Sequence, residues 1–508
     1  MNKQVLKAAA IFSDNMVLQR YKNINIWGTG ENGHKVQLYF NNKVVRTIVK
    51  DNKWRAILPS MPAGGPYELK ITDGEQFLKF SNVMLGEVWL AGGQSNMELE
   101  LQNSKNGDEA LKKVSKACNV RYYYTQKNAY IDEQFLKMEA ETCWQECTKE
   151  TAGNWSAVGY YFAKELAEEL KVTVGIIGCN WGGTSASAWI STKKLEEDKD
   201  TNSYNEEYKK ANEGRSFEKY LEQLEQYNIW YDKWQKKVNK CYEENPNILW
   251  SKVLEIAGEN LWPEPLGPKS PYRAGGLYET MIKRIMPYSL KGFLYYQGES
   301  DDHKPKLYYK LLNKLIEQWR EAWEEDELPF LIVQLPMYIG REDKDKKNWP
   351  LIREAQMRVH KTVKNTGLAV ILDCGEFDNI HPLDKETVGH RLFLQAMFHT
   401  YNKKVAAYGP VFKALEYKGN KIELIFDNCE SGIKIKGDKA EGFEIAGDDK
   451  QFLVASIEIQ RNKILVFAQE INNPKYVRYA WTNYGAVTLF NEAGIPMSTF
   501  RTSVNDEK

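Results

Sequence analysis

The chain has six histidines, the side chains whose ordinary pKa lets them take and return a proton near neutral pH. His34 lies among short alternating runs, His360, His390 and His399 fall in helical patterns, and His303 follows Asp301-Asp302 in a polar loop. His381 is placed differently, in Asp378-Asn379-Ile380-His381-Pro382 just past the apolar run 368–373, where a strand end would hold it as a general base. Asp378, three residues earlier, is spaced to accept a hydrogen bond from the imidazole and stabilise the imidazolium. A surface turn is the plain alternative for such a pair. Ser95 is the matching nucleophile. The run Val88-Trp89-Leu90-Ala91 leads into Gly92-Gly93-Gln94-Ser95-Asn96, a tight loop of small and amide residues that exposes a hydroxyl and backbone N–H groups. A helix cap would use the same residues. Met97 stands where a Gly-x-Ser-x-Gly elbow has its second glycine, which argues against an α/β-hydrolase.

Acyl transfer also needs donors aimed at the developing oxyanion, each worth on the order of 10²–10³ in rate. Three loops offer them: the Ser95 N–H, an N–H of Gly182-Gly183, and the side chain of Gln297. A double glycine alone is an ordinary turn, so these residues gain meaning only from what positions them.

Residues 1–83 show period-2 alternation broken by Gly, Asn and Asp turns, in runs such as KVQLYF and YELKIT, and are predicted to form a β-sandwich-like domain. From 84 to 404 buried runs alternate with helical patterns, one of them starting at Ser156 with Val158, Phe162, Leu166 and Leu170 on its apolar face. That grammar predicts an α/β domain with a mostly parallel sheet, whose ligands sit beyond the carboxyl ends of the strands. Residues 193–250 interrupt it with a charge-rich helical insertion. Its stripe of Phe217, Leu221, Leu224, Tyr227, Tyr231, Trp234 and Val238 is predicted to pack on the body, with a lid over the site as the alternative. Residues 405–508 return to strands as a C-terminal β-rich module.

Lys+Arg and Asp+Glu are both 69, so the net charge is zero and no field gathers nucleic acid or anionic membrane. No run reaches the roughly 20 apolar residues of a membrane span, and no leader sequence is visible. The seven cysteines are scattered without a zinc pattern, which predicts free thiols and a cytoplasmic setting.

The blocks Gly86-Glu-Val-Trp-Leu-Ala-Gly-Gly-Gln-Ser-Asn-Met97, Trp181-Gly-Gly-Thr184, Tyr296-Gln-Gly-Glu299 and Asp378-x-x-His381-Pro, in this order, resemble the sialate O-acetylesterase-like family. That family belongs to the SGNH-type hydrolases and is close to acetyl-xylan esterases. Phe12–Arg20, Val477–Trp481 and Phe500–Thr502 extend the resemblance over nearly the whole chain.

It implies a flavodoxin-like three-layer αβα core with flanking β-sandwich-type modules. It also implies a serine esterase that removes O-acetyl groups from carbohydrates through an acetyl-enzyme, without cofactor or metal. Ser95, Asp378 and His381 would be the triad, and Ser95, Gly183 and Gln297 the oxyanion donors. Tyr295 and Asp301 depart from the family's Trp and Asn, which bears on substrate preference. The partner expected is an acetylated sugar; oligomeric state is open.

For that sugar, Trp181 is favoured among Trp155, Trp181, Trp189, Trp262 and Trp349, with Glu299, Arg273 and Arg353 as polar contacts. Acetylated xylan or manno-oligosaccharides are the rival substrates. A metal-dependent deacetylase using Asp373, Glu376, Asp378 and His381, and a non-catalytic carbohydrate-binding protein, are the rival classes.

Overall fold

Phe77–Gly93 forms one strand of 17 residues, β1, and the rest of the molecule is arranged around it in the computed structural model, which describes residues 5–115 and 118–506. The first half of β1 is exposed or half-buried except at Val83 and pairs antiparallel with Gly64–Thr72. Its second half is buried throughout and pairs in parallel on both sides. The 83/84 boundary predicted from sequence therefore falls inside a continuous strand.

The parallel sheet adds Val120–Tyr124 (β2), Val174–Asn180 (β3), Gly292–Tyr296 (β4), Phe330–Gln334 (β5) and Thr366–Val370 (β6), in the order β2-β3-β1-β4-β5-β6. The short strand Gln145–Glu146 lies antiparallel on the outer edge of β2. β3 to β6 are buried at every position, and covering both faces is what turns alternation into the unbroken apolar runs seen in the sequence.

The helices used below are α1 (Ser95–Glu98), α2 (Ala157–Leu170), α3 (Phe217–Glu244), α4 (Trp250–Ala257), α5 (Tyr308–Trp323), α6 (Asn348–Thr362) and α7 (Lys385–His399). Ser156 caps α2 as predicted, its Oγ accepting the Gly159 N–H at 3.0 Å. Along α2, Val158, Phe162 and Leu166 are buried and Leu170 is half-buried. α2 packs on α7, and α5 on α6.

Before β1, Lys7–Ala8, Ile24–Thr29 and Lys53–Leu58 make a three-stranded antiparallel sheet. After α7 come two four-stranded antiparallel sheets, one centred on Lys421–Asp427 and Lys463–Phe467, the other on Phe443–Ala446 and Tyr476–Tyr479. Arg353 of α6 ties that region to the core. It is fully buried, donates to the carbonyl oxygens of Ala480 (3.4 Å) and Thr482, and so is no candidate for a substrate carboxylate.

One apolar cluster runs from Leu6 to Met497 through all these sheets. The helical insertion keeps a second one. Trp234, Val238 and Cys241 of α3 pack against Val253 and Ala257 of α4, while Phe217 stays 37% exposed. The predicted stripe thus divides, and its distal part closes an α3–α4 hairpin instead of lying on the body. Among the described residues no helix is long and apolar enough to cross a membrane.

Candidate functional site

β1 ends at Gly93, whose φ of 133° suits glycine and where a Cβ would stand 2.1 Å from the Tyr296 carbonyl oxygen of β4. This close approach lets the chain turn at once into α1 and leaves Ser95 at its first position. The first N–H groups of a helix have no intrahelical acceptor, so the Ser95 N–H is available to a ligand. The loop after β3 comes up beside it. The Trp181 N–H donates to the Gly93 carbonyl at 3.1 Å. A Cβ on Gly182 would stand 3.3 Å from the Ser95 Cβ, and Gly183, at φ 73°, follows directly.

His381 reaches Ser95 from the loop after β6: Nε2 lies 2.8 Å from the serine Oγ. This is the spacing of a hydroxyl donating to a neutral imidazole. Burial, and then the positive charge of Lys385, hold His381 below its ordinary pKa, while the Glu98 carboxylate opposes them. The ring is therefore neutral and able to accept a proton at pH 7.

Asp378 does not complete the set as predicted. Its two oxygens accept from the Arg341 backbone N–H at 2.8 Å and from Arg341 Nε at 2.9 Å, and among the described residues the His381 ring bonds only to Ser95. Three residues of sequence bring Asp378 near the histidine, but its left-handed backbone, φ 62°, goes with a carboxylate turned to the 339–342 loop.

Gln297 is a second correction. Its Nε2 donates to Asp301 Oδ2 (2.6 Å) and the Thr184 carbonyl (3.2 Å), and its Oε1 accepts from the Tyr308 hydroxyl at 2.9 Å. The amide thus holds the loop carrying Gly183 from beneath and presents no free N–H to an oxyanion.

Asp301 is fully buried and accepts from Ser185 Oγ (2.6 Å), the Ala186 N–H (2.9 Å) and the Tyr204 hydroxyl (3.0 Å) as well as Gln297. Tyr295 packs in the core against Trp319 and Phe330. Neither departure from the family pattern faces a substrate.

Glu299 is also buried, not exposed to a sugar. Its Oε1 accepts from Asn96 Nδ2 at 2.6 Å, and Asn96 Oδ1 accepts from Lys385 Nζ at 2.6 Å. Burial pushes the Glu299 carboxyl up and the Lys385 ammonium down to about 8. This line of groups stiffens the floor under Ser95. Arg273 is half-buried, with Nε donating to the Pro268 carbonyl at 3.1 Å and NH2 to Ala129 at 3.4 Å. Trp155, Trp189 and Trp349 are core residues, which leaves Trp181 half-buried and Trp262 48% exposed.

Residues that sequence reasoning passed over stand close by. Glu98, one turn after Ser95, accepts the Gly182 N–H at 2.6 Å and pairs with Lys127. Gln94 accepts from Ser300 N at 3.2 Å, joining the loops after β1 and β4. The i+3 spacing of Glu98 from Ser95 was a visible sign, since such residues share one face of a helix. Its partners came from distant segments and were not.

The rival metal ligands are engaged elsewhere. Asp373 receives Arg391 (2.8 Å), Glu376 receives Asn379 (2.8 Å) and the Leu383 N–H (2.7 Å), and among the described residues no group of three His, Cys, Asp or Glu could hold a metal ion.

A family model described as a carbohydrate esterase, sialic acid-specific acetylesterase, matches residues 85–251 and 256–396. The sialate O-acetylesterase of Mus musculus is 26% identical over 519 residues, spanning 94% of this chain and 89% of that protein. The Homo sapiens protein of the same name is 26% identical over 516 residues, spanning 94% and 87%. Among solved structures, a carbohydrate acetylesterase from Xanthomonas citri superposes with a TM-score of 0.78 at 28% identity, covering 98% of this chain and 100% of the other.

Proposed function

The chain belongs to the sialic acid-specific acetylesterase family of carbohydrate esterases and removes O-acetyl groups from carbohydrates, and we propose that it does so through an acetyl-enzyme on Ser95. The observation that carries the proposal is the 2.8 Å contact between Ser95 Oγ and His381 Nε2 at the carboxyl ends of the strands.

Ser95 Oγ attacks the acetyl carbonyl carbon as its proton passes to His381 Nε2. The oxyanion is met by the N–H groups of Ser95 and Gly183. The bond from carbon to the sugar oxygen then breaks, and Nε2 returns the proton to that oxygen. Water adds to the acetyl-enzyme, giving its proton to Nε2, and acetate leaves as Ser95 recovers its hydrogen. Gln297 and Glu98 act from outside the reaction by holding the loop that carries Gly183.

Leaving out β2, the sheet order β3-β1-β4-β5-β6 is the 2-1-3-4-5 order of flavodoxin-like folds, and the site lies at the β1/β4 switch point. That order, with α2/α7 and α5/α6 as paired helices, supports reading the centre as an SGNH-type three-layer core. We also read residues 84–404 as the catalytic domain, built onto β1 and followed by a β-rich module.

Acetate release from acetylated sugars by wild type and Ser95→Ala tests the proposal. The variant is expected to lose release by at least about 10³-fold with its fold intact, and release that survives would remove Ser95 as nucleophile.

A further inference from the structure

Asn96, the residue after the nucleophile, is fully buried, and both ends of its amide are engaged. Nδ2 donates to the Ile380 carbonyl at 2.9 Å and to Glu299 Oε1 at 2.6 Å, and Oδ1 accepts from Lys385 Nζ at 2.6 Å. Ile380 immediately precedes His381. One amide thus ties the helix of the nucleophile to the chain at the base, one residue away from each reacting group.

Lys385 lies in the first turn of α7 and is itself fully buried, a place lysine rarely takes. Its ammonium lies 5.3 Å from the centre of the Tyr296 ring and reaches Glu299 through the Asn96 amide. Glu299 on the loop after β4, Cys374 and Glu376 on the loop after β6, and Asp384, the cap of its own helix, are the groups whose charge it feels. Burial pushes Lys385 down to about 8, so it still carries its charge through the range in which an imidazole titrates.

That charge acts on the base. The ionisable groups that bear on His381 are Lys385, which together with burial holds the ring neutral, and Glu98 of α1, which opposes them. Glu98 is itself shared between Lys127 and the Gly182 N–H. Apolar residues of the same volume would pack this floor as well as a buried cation and carboxyl, so stability alone does not account for them.

We propose that Lys385 is a positioning residue that keeps His381 a free base, and that Asn96 holds both that cation and the loop bearing His381 onto the helix of Ser95. The inference rests on the serine–histidine reading above and adds the residues that set the working pH of the base.

The test follows acetate release from an acetylated sugar between about pH 5 and 9. Lys385→Gln removes the charge and keeps an N–H for Asn96 Oδ1. Losing a nearby cation makes the imidazole easier to protonate, so the acid limb of kcat/KM should move to higher pH by at least about half a unit. Lys385→Gln/Glu299→Gln removes cation and carboxyl together, leaves no uncompensated buried charge, and should move the limb the same way. Asn96→Ala should lower kcat about 10²-fold, the cost of about 1 Å of misplacement at a reacting pair, with KM nearly unchanged. Limbs that stay with the wild type's in the lysine variants, or a wild-type kcat in Asn96→Ala, would overturn the proposal. So would failure of both lysine variants to fold, since the pair would then be holding the fold. Ser95→Ala, assayed alongside, separates the two readings. Release that survives there sinks the serine mechanism, whereas no release there with an unmoved limb in the lysine variants sinks this inference alone.

Discussion

Ser95 and His381 meet as a pair, and the carboxylate spaced to join them is occupied by Arg341. Removing the aspartate of a working triad costs about 10⁴ in kcat by leaving the wrong tautomer. Asp378→Asn is expected to cost less than about tenfold here, because the carboxylate it removes holds Arg341; a loss near 10⁴ would put Asp378 on the imidazole during turnover. The charge that does act on His381 from the acidic side is Glu98, which raises its pKa against burial and Lys385. On the proposed mechanism activity needs the neutral ring, so the acid limb of kcat/KM follows that pKa. Glu98→Gln should therefore move the limb to lower pH, and a limb that stays in place would deny the electrostatic link. The meeting of Ser95 and His381 was legible in sequence because their residue types and strand-end positions suffice to place them at one end of the sheet. The partners that Asp378, Gln297 and Glu299 hold in the structure, Arg341, Thr184 and Asn96, were not legible because they lie 37, 113 and 203 residues away, and spacing says nothing of which way a side chain turns.

At the scale of elements, the parallel strands were readable as apolar runs, whereas the insertion's stripe predicted burial without saying against what. α3 is 28 residues long, and only Tyr220, Trp234, Val238 and Cys241 along it are buried. The last three close on α4, and Trp234 Nε1 donates to the Gly258 carbonyl at 2.9 Å, fixing the start of the segment that leads to Trp262. A hairpin with its own small core can loosen without unfolding the sheet. Trp234→Ala removes a large buried ring, a change that costs about 3–5 kcal/mol in a core. It should speed amide hydrogen exchange across the α3–α4 hairpin while leaving the main thermal transition nearly unchanged. A fall in the main Tm by many degrees would mean that the hairpin is part of the body's core after all.

The whole molecule is joined by features that no boundary in the sequence announces: β1 passes from an antiparallel neighbour into the parallel sheet, and a single apolar cluster spans both ends of the chain. Histidines sit at one of its seams. His360 at the end of α6 stacks on Tyr408 with ring centroids 5.3 Å apart, its Nδ1 3.0 Å from the Thr366 carbonyl oxygen, and His399 at the end of α7 meets the Tyr408 hydroxyl. Burial first, and then the neighbouring His399, push His360 down to about 4. In the unfolded chain it titrates near 6.5. Above that value it is neutral in both states and adds no pH dependence. Between 6.5 and 4 the unfolded chain binds a proton that the folded one refuses, so stability falls as pH falls. From pH 7 to 5 this one group should remove up to about 2 kcal/mol. Urea unfolding at the two pH values should show that loss in the wild type and less of it in His360→Gln. Equal losses in both proteins would mean that His360 takes up its proton in the folded state, and that the seam between α6, α7 and the following strands is open to water.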